Sequence, residues 1–302
     1  MKMDRRRFLT STIAGASGMI LGCGGQAAER PASAAPANPY RIVPLGKTGL
    51  KTSLIGFGTG MRGGNRESNQ TRLGKEKFEA LLQAAYDRGV RLFDMADMYG
   101  THQFVGRAMA SKRDQCFFVS KIWVRRGGIP EPERPGADVI VDRFRKELQT
   151  DYVDLVLLHC MTATTWPDEQ KKQMDILDNL KAKKIIRAHG ISAHSLAAIQ
   201  AAAASPWCDS VHARINAFGM SMDAPPQEVA AAVQAVHDAG KSVIGMKLIG
   251  EGAFRDDPAK RTASVEYVLG LGAVSAMVVG FEKVSEIDDF AARVAAAPVR
   301  NV

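Results

Sequence analysis

The sequence is short of cysteine and has no long apolar run. Four of its 302 residues are cysteine, and those after Cys23 form an odd set of three: Cys116, Cys160 and Cys208. An odd number in so large a core argues against a disulfide framework. We interpret them as packed thiols, with a reactive Cys160 as the alternative. The apolar stretch at residues 8–21 falls short of the roughly 20 residues that span a bilayer.

Two other patterns are missing. No basic run with interleaved aromatic residues follows residue 22, and no His, Cys and Asp residues show the spacing of metal ligands. The net charge is +8, of which residues 1–22 contribute +3, with four basic residues and one acidic one. The remaining excess is mild, so a nucleic-acid partner is not expected, although phosphates or acidic substrates are compatible with it. Because this spacing is absent, the sequence predicts no metal site.

The first residues are typical of an export signal. Residues 4–10 (DRRRFLT) resemble a twin-arginine motif, and residues 20–24 (ILGCG) resemble a bacterial lipobox with Cys23 as the acylated residue. An ordinary cleaved signal peptide, in which Cys23 has no role, is the alternative. We therefore expect a signal at residues 1–23, a proline-rich flexible linker at 24–39 and a barrel domain at 40–302. The expected location is the periplasm or cell envelope, with a lipid anchor to the membrane.

Between these ends, short apolar runs alternate with longer amphipathic stretches. Eight of each are predicted, with strands at 53–58, 90–94, 116–120, 153–158, 185–191, 210–215, 242–247 and 274–279, and helices at 75–88, 102–110, 137–149, 169–182, 194–204, 226–239, 258–270 and 283–295. Apolar strands joined by helices indicate a covered parallel sheet, and eight units indicate closure into a (β/α)8 TIM barrel. An open doubly wound sheet is the alternative, but residues 56–60 only half match its glycine-rich turn.

Four polar residues stand where the apolar strands stop. Asp94 ends one strand, Tyr99 lies in the loop after it, Lys121 follows the next strand and His159 follows the one after that. The carboxyl ends of barrel strands are where such folds gather their chemistry, so we expect the four side chains to meet. A carboxylate, a phenol, an ammonium and an imidazole together would form a device for proton delivery.

Several segments closely resemble the aldo-keto reductase family. They are residues 44–53 (PLGKTGLKTS), 55–59 (IGFGT), 89–100 (GVRLFDMADMYG), 118–123 (FVSKIW) and 154–159 (DLVLLH), in family order. The resemblance implies reversible hydride transfer between a nicotinamide and a carbonyl or alcohol. It implies Tyr99 as proton donor, Lys121 lowering the pKa of that phenol, Asp94 orienting Lys121, and His159 binding the substrate oxygen.

The resemblance also implies a cofactor site. Its expected contacts are Gly58, Thr59, Ser192, His212, Met246 and Lys247 near the nicotinamide and pyrophosphate, and Gly280, Phe281, Lys283 and Glu286 near the adenosine phosphate. His212 and Met246 replace a usual glutamine and a frequent tyrosine. Glu286 would repel a 2′-phosphate and Lys283 would attract it, so NADP and NAD both stay open, with NADP favoured by family habit. Trp123 is expected to form a wall of the substrate pocket.

The expected partner is a small carbonyl compound, such as an aldehyde, a ketone or a sugar, and the oligomeric state is left open. Two other functions remain. One is a lipid-anchored binding or accessory barrel without turnover, because the nicotinamide contacts Ala193, His212 and Met246 are unusual. The other is a non-redox isomerase or lyase that uses Tyr99 and Lys121 for proton transfer.

Overall fold

The computed structural model describes residues 38–298. The predicted signal, Cys23 and residues 24–37 of the linker therefore lie outside the described residues. Within that range the strands are β1 (Ile42–Pro44), β2 (Lys51–Ser53), β3 (Ile55–Gly58), β4 (Leu92–Asp94), β5 (Phe117–Ile122), β6 (Val153–Met161), β7 (Ile186–Ala193), β8 (Ser210–Arg214), β9 (Ser242–Met246) and β10 (Ala276–Gly280).

Strands β3 to β10 form a closed parallel barrel in sequence order. The barrel closes where β10 pairs with β3, with Gly280 opposite Gly58. Parallel neighbours need a crossover, and an α-helix follows each barrel strand before the next begins or, after β10, before the described residues end. The predicted (β/α)8 TIM barrel is confirmed, and all eight predicted strands are present.

The helices of the described chain lie outside the barrel and match the predicted ones closely. They are α1 (Asn69–Arg72), α2 (Lys75–Arg88), α3 (His102–Met109), α4 (Ala137–Leu148), α5 (Trp166–Glu169), α6 (Lys171–Ala182), α7 (Leu196–Ala204), α8 (Pro226–Asp238), α9 (Pro258–Gly270) and α10 (Val284–Ala296). The sequence missed α1 and most of α5, and the helix predicted at 169–182 corresponds to α6. Among residues 38–298, no helix combines the length and apolarity needed to cross a bilayer.

A hairpin that the sequence did not predict covers the amino end of the barrel. Strands β1 and β2 pair antiparallel, and the turn between them buries Leu45 and Leu50 against the apolar interior of the barrel. Gly46 sits in this turn at φ +53, where a Cβ would lie 2.6 Å from the carbonyl oxygen of Gly240. The close approach requires glycine. This packing leaves the carboxyl end as the open face.

Candidate active site

Asp94 and Lys121 form a fully paired ion pair at the carboxyl end of the barrel. Asp94 is the last residue of β4, and Lys121 lies near the end of β5. The Lys121 Nζ atom donates to both carboxylate oxygens of Asp94, at 2.6 and 2.7 Å, and to the carbonyl oxygen of Met95 at 2.9 Å. An ammonium has three protons to donate, so all of them are used. The pair is buried, which makes its charges costly to separate.

Each charge of this pair supports the other. Burial would raise the pKa of Asp94, but the ammonium of Lys121 and the imidazole of His212 hold it below the ordinary 3.8. Burial lowers the pKa of Lys121 below 10.5, and Asp94 opposes that shift. The Nε2 atom of His212 lies 3.0 Å from an Asp94 oxygen. The carboxylate thus orients an ammonium on one side and an imidazole on the other.

Tyr99 lies beside this pair, packed between two glycines. It ends a short 3₁₀ turn, Asp97–Tyr99, after β4. A Cβ atom on Gly60 or Gly63 would overlap the Tyr99 ring, so both glycines are needed for it to fit. The phenol oxygen lies 3.5 Å from the His159 Nε2 atom, and the Lys121 Nζ atom lies 5.2 Å from the centre of the ring. The four polar groups therefore meet as expected.

The surroundings of Tyr99 oppose the lowering of its pKa that was expected of Lys121. Burial, followed by the negative charge of Asp94, raises the pKa of Tyr99 well above the ordinary 10.0. The ammonium of Lys121 donates its three protons to Asp94 and Met95 and none to the phenol oxygen. The phenol keeps its proton at neutral pH, as an acid must before it donates.

His159 presents a neutral imidazole to the same space. Burial, with Lys121 as the next cause, lowers the pKa of His159 well below 6.5. The Trp123 ring packs edge-on against it with centroids 5.3 Å apart, and the Trp123 Nε1 atom donates to the carbonyl of Gly127 at 2.5 Å. Trp123 therefore lies next to His159 but does not line the cavity described below, so its role as a pocket wall stays a prediction.

Three polar residues among the predicted cofactor contacts, Thr59, Ser192 and His212, are fully buried. The Thr59 hydroxyl donates to the carbonyl of Asp94 at 2.8 Å and so braces β3 against β4. Ser192 on β7 and His212 on β8 are paired in register. The Ser192 Oγ atom and the His212 Nδ1 atom are both buried without a hydrogen-bond partner among residues 38–298. Unpaired buried polar atoms are costly, so both atoms are available to a polar partner.

A cavity of about 420 Å³ opens beside the ion pair and runs outward past β9 and β10. Predicted residues on its wall are Asp94, Tyr99, Lys121, Gly58, Met246, Lys247, Gly280, Phe281, Lys283 and Glu286. Thr59, Trp123, His159, Ser192 and His212 are not on that wall. Lys247 has a positive φ of 62°, and its ammonium pairs with the carboxylate of Glu251, four residues further along the chain.

The outer end of the cavity carries mixed charge. Glu286, predicted to face a cofactor phosphate, caps helix α10: one of its oxygens accepts from the backbone N–H of Glu282 at 2.7 Å and of Lys283 at 3.2 Å. Its other oxygen lies 3.7 Å from the Arg255 Nε atom. Arg255 also binds Glu282 at 2.9 Å. The negative charge of Glu286 is thus partly neutralised by Arg255. The Arg255 guanidinium, which was not predicted as part of the site, lines the same cavity wall.

Four further residues of the site were not predicted from the sequence: Arg255, Glu251, Gly60 and Gly63. The two glycines had a signal in the dense glycine pattern of residues 56–64. Arg255 had none, because it lies in the segment after β9, and only the closure of the barrel brings that segment opposite Glu282.

The chain is similar to known proteins over most of its described residues. A family model described as the aldo/keto reductase family matches residues 54–293. Aldo-keto reductase YhdN of Bacillus subtilis is 31% identical over 163 residues, which are 50% of this chain and 46% of that protein. The chain thus spans about half the length of this curated relative.

Solved structures share the fold. Aldo-keto reductase AKR11C1 from Bacillus halodurans superposes with a TM-score of 0.68 at 21% identity, covering 86% of this chain and 93% of that one. An aldo/keto reductase from Klebsiella pneumoniae in complex with NADP and acetate has a TM-score of 0.63 at 18% identity, covering 85% and 90%.

Proposed function

The chain belongs to the aldo/keto reductase family, whose model covers residues 54–293, and from this premise we propose that it is an NAD(P)H-dependent oxidoreductase. Its substrate is a carbonyl compound, such as an aldehyde, a ketone or a sugar, or the corresponding alcohol in reverse. The observation that carries the proposal is the meeting of Tyr99 and the Asp94–Lys121 pair on one cavity wall, with His159 3.5 Å from the phenol.

The chain offers groups that fit a nicotinamide dinucleotide. Behind the cavity wall, the Ser192 Oγ and His212 Nδ1 atoms have no hydrogen-bond partner among residues 38–298 and are suited to a carboxamide, which both donates and accepts hydrogen bonds. Met246 and Gly58 would pack on the ring, and Lys247 and Lys283 would meet phosphates. Structural relatives include a complex with NADP, which supports NADP or NAD as cofactor. When bound, it supplies the hydride that no side chain can.

The proton and the orientation come from the chain itself. Tyr99 is protonated at neutral pH and can donate to a carbonyl oxygen as negative charge develops there. Neutral His159 can donate a second hydrogen bond to the same oxygen and fix its angle. Lys121 and Asp94 supply a fixed dipole behind the phenol, which costs no reorganisation during reaction. In this arrangement Lys121 acts by its field and by positioning, since its protons are already bound.

A kinetic experiment tests this function on the chain without its predicted signal, residues 24–302. We expect NADPH or NADH to quench tryptophan fluorescence and a carbonyl substrate to oxidise the cofactor. Tyr99→Phe should lower kcat by about 10²–10⁴-fold, the usual contribution of a general acid, and leave cofactor binding unchanged. The rate of carbonyl reduction by the unaltered chain should stay constant up to about pH 9, because burial and Asp94 raise the pKa of Tyr99 above its ordinary 10.0.

Other outcomes would contradict the proposal. Failure to bind either nucleotide would favour a non-redox barrel enzyme or a binding barrel without turnover. Unchanged carbonyl reduction in Tyr99→Phe would remove the phenol from the mechanism.

The same enzyme, we propose, is exported by the twin-arginine route and anchored through a lipid on Cys23. The support is the sequence at residues 4–10 and 20–24. Fractionation of cells that express the full chain should recover it with membranes, and Cys23→Ala should release it. Replacing Arg5 and Arg6 by lysine should retain it in the cytoplasm. Recovery of Cys23→Ala in the membrane fraction would contradict the anchor.

A further inference from the structure

A second group of functional side chains lies beside the proposed active site. Ligand atoms of His159, Cys160 and His194 all lie within 4.8 Å of one another. The Cys160 Sγ atom is 3.4 Å from the His194 Nε2 atom, and the His159 and His194 rings meet edge to face with centroids 6.1 Å apart. Cys160 and His194 have no part in the proton delivery described above.

The backbone is bent so that these side chains meet. His159 and Cys160 are consecutive in β6, and consecutive strand residues normally point to opposite faces. Here Cys160 adopts a positive φ of 61°, and the pairing of β6 with β7 shifts register between Leu158 and Met161. Such irregularities re-aim side chains and concentrate at functional sites. The local strain brings two adjacent donors to one place.

The third ligand candidate, His194, directly follows the neighbouring strand β7 and is fixed by hydrogen bonds to the end of β6. The His194 backbone N–H donates to the carbonyl of Met161 at 2.7 Å. Ser195 caps helix α7, accepting from the Ala198 N–H at 3.0 Å, and its hydroxyl donates to the carbonyl of Thr162 at 2.6 Å. These bonds tie the start of α7 to the end of β6. His194 therefore keeps its place relative to Cys160.

From this geometry we propose that His159, Cys160 and His194 form a binding site for a single Zn²⁺-like transition-metal ion. One thiolate and two imidazoles are ligands that zinc prefers. Typical Zn–S and Zn–N bonds at a tetrahedral angle put sulfur and nitrogen about 3.6 Å apart, close to the observed 3.4 Å between Cys160 and His194. On binding, the Cys160 thiol releases its proton to solvent, and a water or substrate oxygen completes the tetrahedron.

An independent observation marks His159 as an available ligand. Its side chain is buried, with 4% of the residue exposed, and its Nδ1 atom has no hydrogen-bond partner within residues 38–298. A buried imidazole normally pairs both nitrogens, and metal-binding histidines usually leave one for the ion and give the other to a polar partner. The nearby Tyr99 hydroxyl can serve as that partner for Nε2.

The surrounding positive charges are mostly neutralised. Lys121 is paired with Asp94, Arg214 with Asp223 and Lys247 with Glu251. Arg125, which donates to the carbonyl of Cys160 at 3.4 Å, forms no ion pair in the described range. It is exposed, so solvent screens its repulsion. The thiolate adds a negative charge of its own on binding, which favours a cation.

Metal binding at this site would switch off carbonyl reduction. With a ring nitrogen coordinated, the His159 imidazole can no longer turn to orient the substrate oxygen, and the metal occupies space next to Tyr99. Inhibition rests on the proposed role of His159, whereas metal binding does not. The two can therefore fail separately.

Cobalt spectroscopy tests the site on the chelator-treated chain, residues 24–302. We expect one Co²⁺ per chain with a thiolate-to-metal absorption band in the near ultraviolet. Cys160→Ser should abolish the band, and His194→Gln should weaken Co²⁺ and Zn²⁺ binding by at least about tenfold, about 1.4 kcal/mol. Cys208→Ser, at a buried thiol away from the cluster, and His237→Gln, on the exposed face of α8, are matched controls and should leave the band intact.

Thermal melting with and without Zn²⁺ keeps the test valid if Cys160→Ser folds poorly, and Cys160→Ala serves as a second variant. Zn²⁺ should raise the melting temperature of the unaltered chain and of both controls but not of either Cys160 variant. An unchanged cobalt band in Cys160→Ser, or no stoichiometric binding by the unaltered chain, overturns the proposal. In kinetics, Zn²⁺ should inhibit the unaltered chain reversibly. Binding without inhibition would support the site and contradict the role of His159.

Discussion

At the amino end of the barrel, the hairpin β1–β2 presses Leu45 and Leu50 onto an apolar interior. At the carboxyl end, the same sheet presents the buried Asp94–Lys121 ion pair and two histidines. The amino end is stabilised by the burial of apolar side chains away from water. The other buries charges that are stable only while every partner is present. The comparison shows that one end of this barrel contributes mainly to stability, whereas the other carries the residues proposed for catalysis.

The same backbone conformation also serves different purposes in different places. Gln149 has a positive φ and ends helix α4, where its N–H satisfies the carbonyls of Arg145 and Lys146. Cys160 has a positive φ too, but it lies inside β6 and redirects side chains toward the active site. In the first case the strained residue closes a helix with hydrogen bonds. In the second the positive φ coincides with a register shift that brings the thiol beside the His194 imidazole.

Lys121→Met should give the largest loss of stability at the carboxyl end. It leaves the Asp94 carboxylate buried with only His212 beside it, so the free energy of unfolding should fall by about 3–5 kcal/mol. Urea denaturation measures this. Lys171→Met is the matched control, because its pair with Asp175 is exposed, and it should cost less than about 1 kcal/mol. Equal losses in the two variants would erase the distinction between buried and exposed pairs.

Leu45→Ala should weaken the amino end without touching the chemistry. Removing this buried side chain should lower the free energy of unfolding by about 2–5 kcal/mol, while kcat/KM at a temperature where the variant is folded should stay unchanged. Ile42→Ala, at a residue that is 57% exposed, should have little effect on either. A drop in kcat/KM for Leu45→Ala would mean that the two ends are mechanically coupled.

Gly60→Ala should damage activity more than stability. A Cβ at this position overlaps the Tyr99 ring and must displace it. Misplacement of a catalytic group by about 1 Å costs about 10²-fold in rate, and the overpacking should cost about 1–3 kcal/mol of stability. Gly64→Ala is the control, since no atom lies within 4 Å of a Cβ there. Similar rates for Gly60→Ala and Gly64→Ala would show that the Tyr99 position is not critical.

Arg255→Ala should have the smallest effect, confined to cofactor choice. Its guanidinium lines the cavity but is already paired with Glu282, so we expect NADPH affinity to fall by less than about tenfold, below about 1.4 kcal/mol, and NADH affinity to change less. Fluorescence titration with both nucleotides measures the ratio. An equal loss for both would place Arg255 away from the 2′-phosphate.

The elements that were predicted best carry their own local signals. Helix α9 runs from Pro258 to Gly270 as expected, with Asp257 capping it through the N–H of Lys260. Helix α2 ends before Gly89, which adopts the left-handed conformation. The hairpin β1–β2 was missed because its strands are only three residues long, too short for a clear alternation, and its stability comes from the barrel that it covers.

At the site, the sequence indicated which polar residues meet but not how their hydrogen bonds are shared. Lys121 was expected to tune Tyr99, yet its three donors are taken by Asp94 and Met95. Donor sharing depends on side-chain positions within fractions of an ångström, which residue type and order do not determine. The surroundings of Cys160 were equally hidden, because a bent backbone brings its thiol to the neighbouring imidazoles and strand alternation alone would not predict that bend.

The capping role of Glu286 ties cofactor preference to the integrity of a helix. Its carboxylate holds the backbone N–H groups of Glu282 and Lys283 at the start of α10. Replacing Glu286 by a residue that attracts a phosphate would also remove the acceptor of those two N–H groups and destabilise the first turn of the helix. A change of nucleotide specificity should therefore cost less stability at Arg255, because replacing Arg255 leaves the helix cap in place.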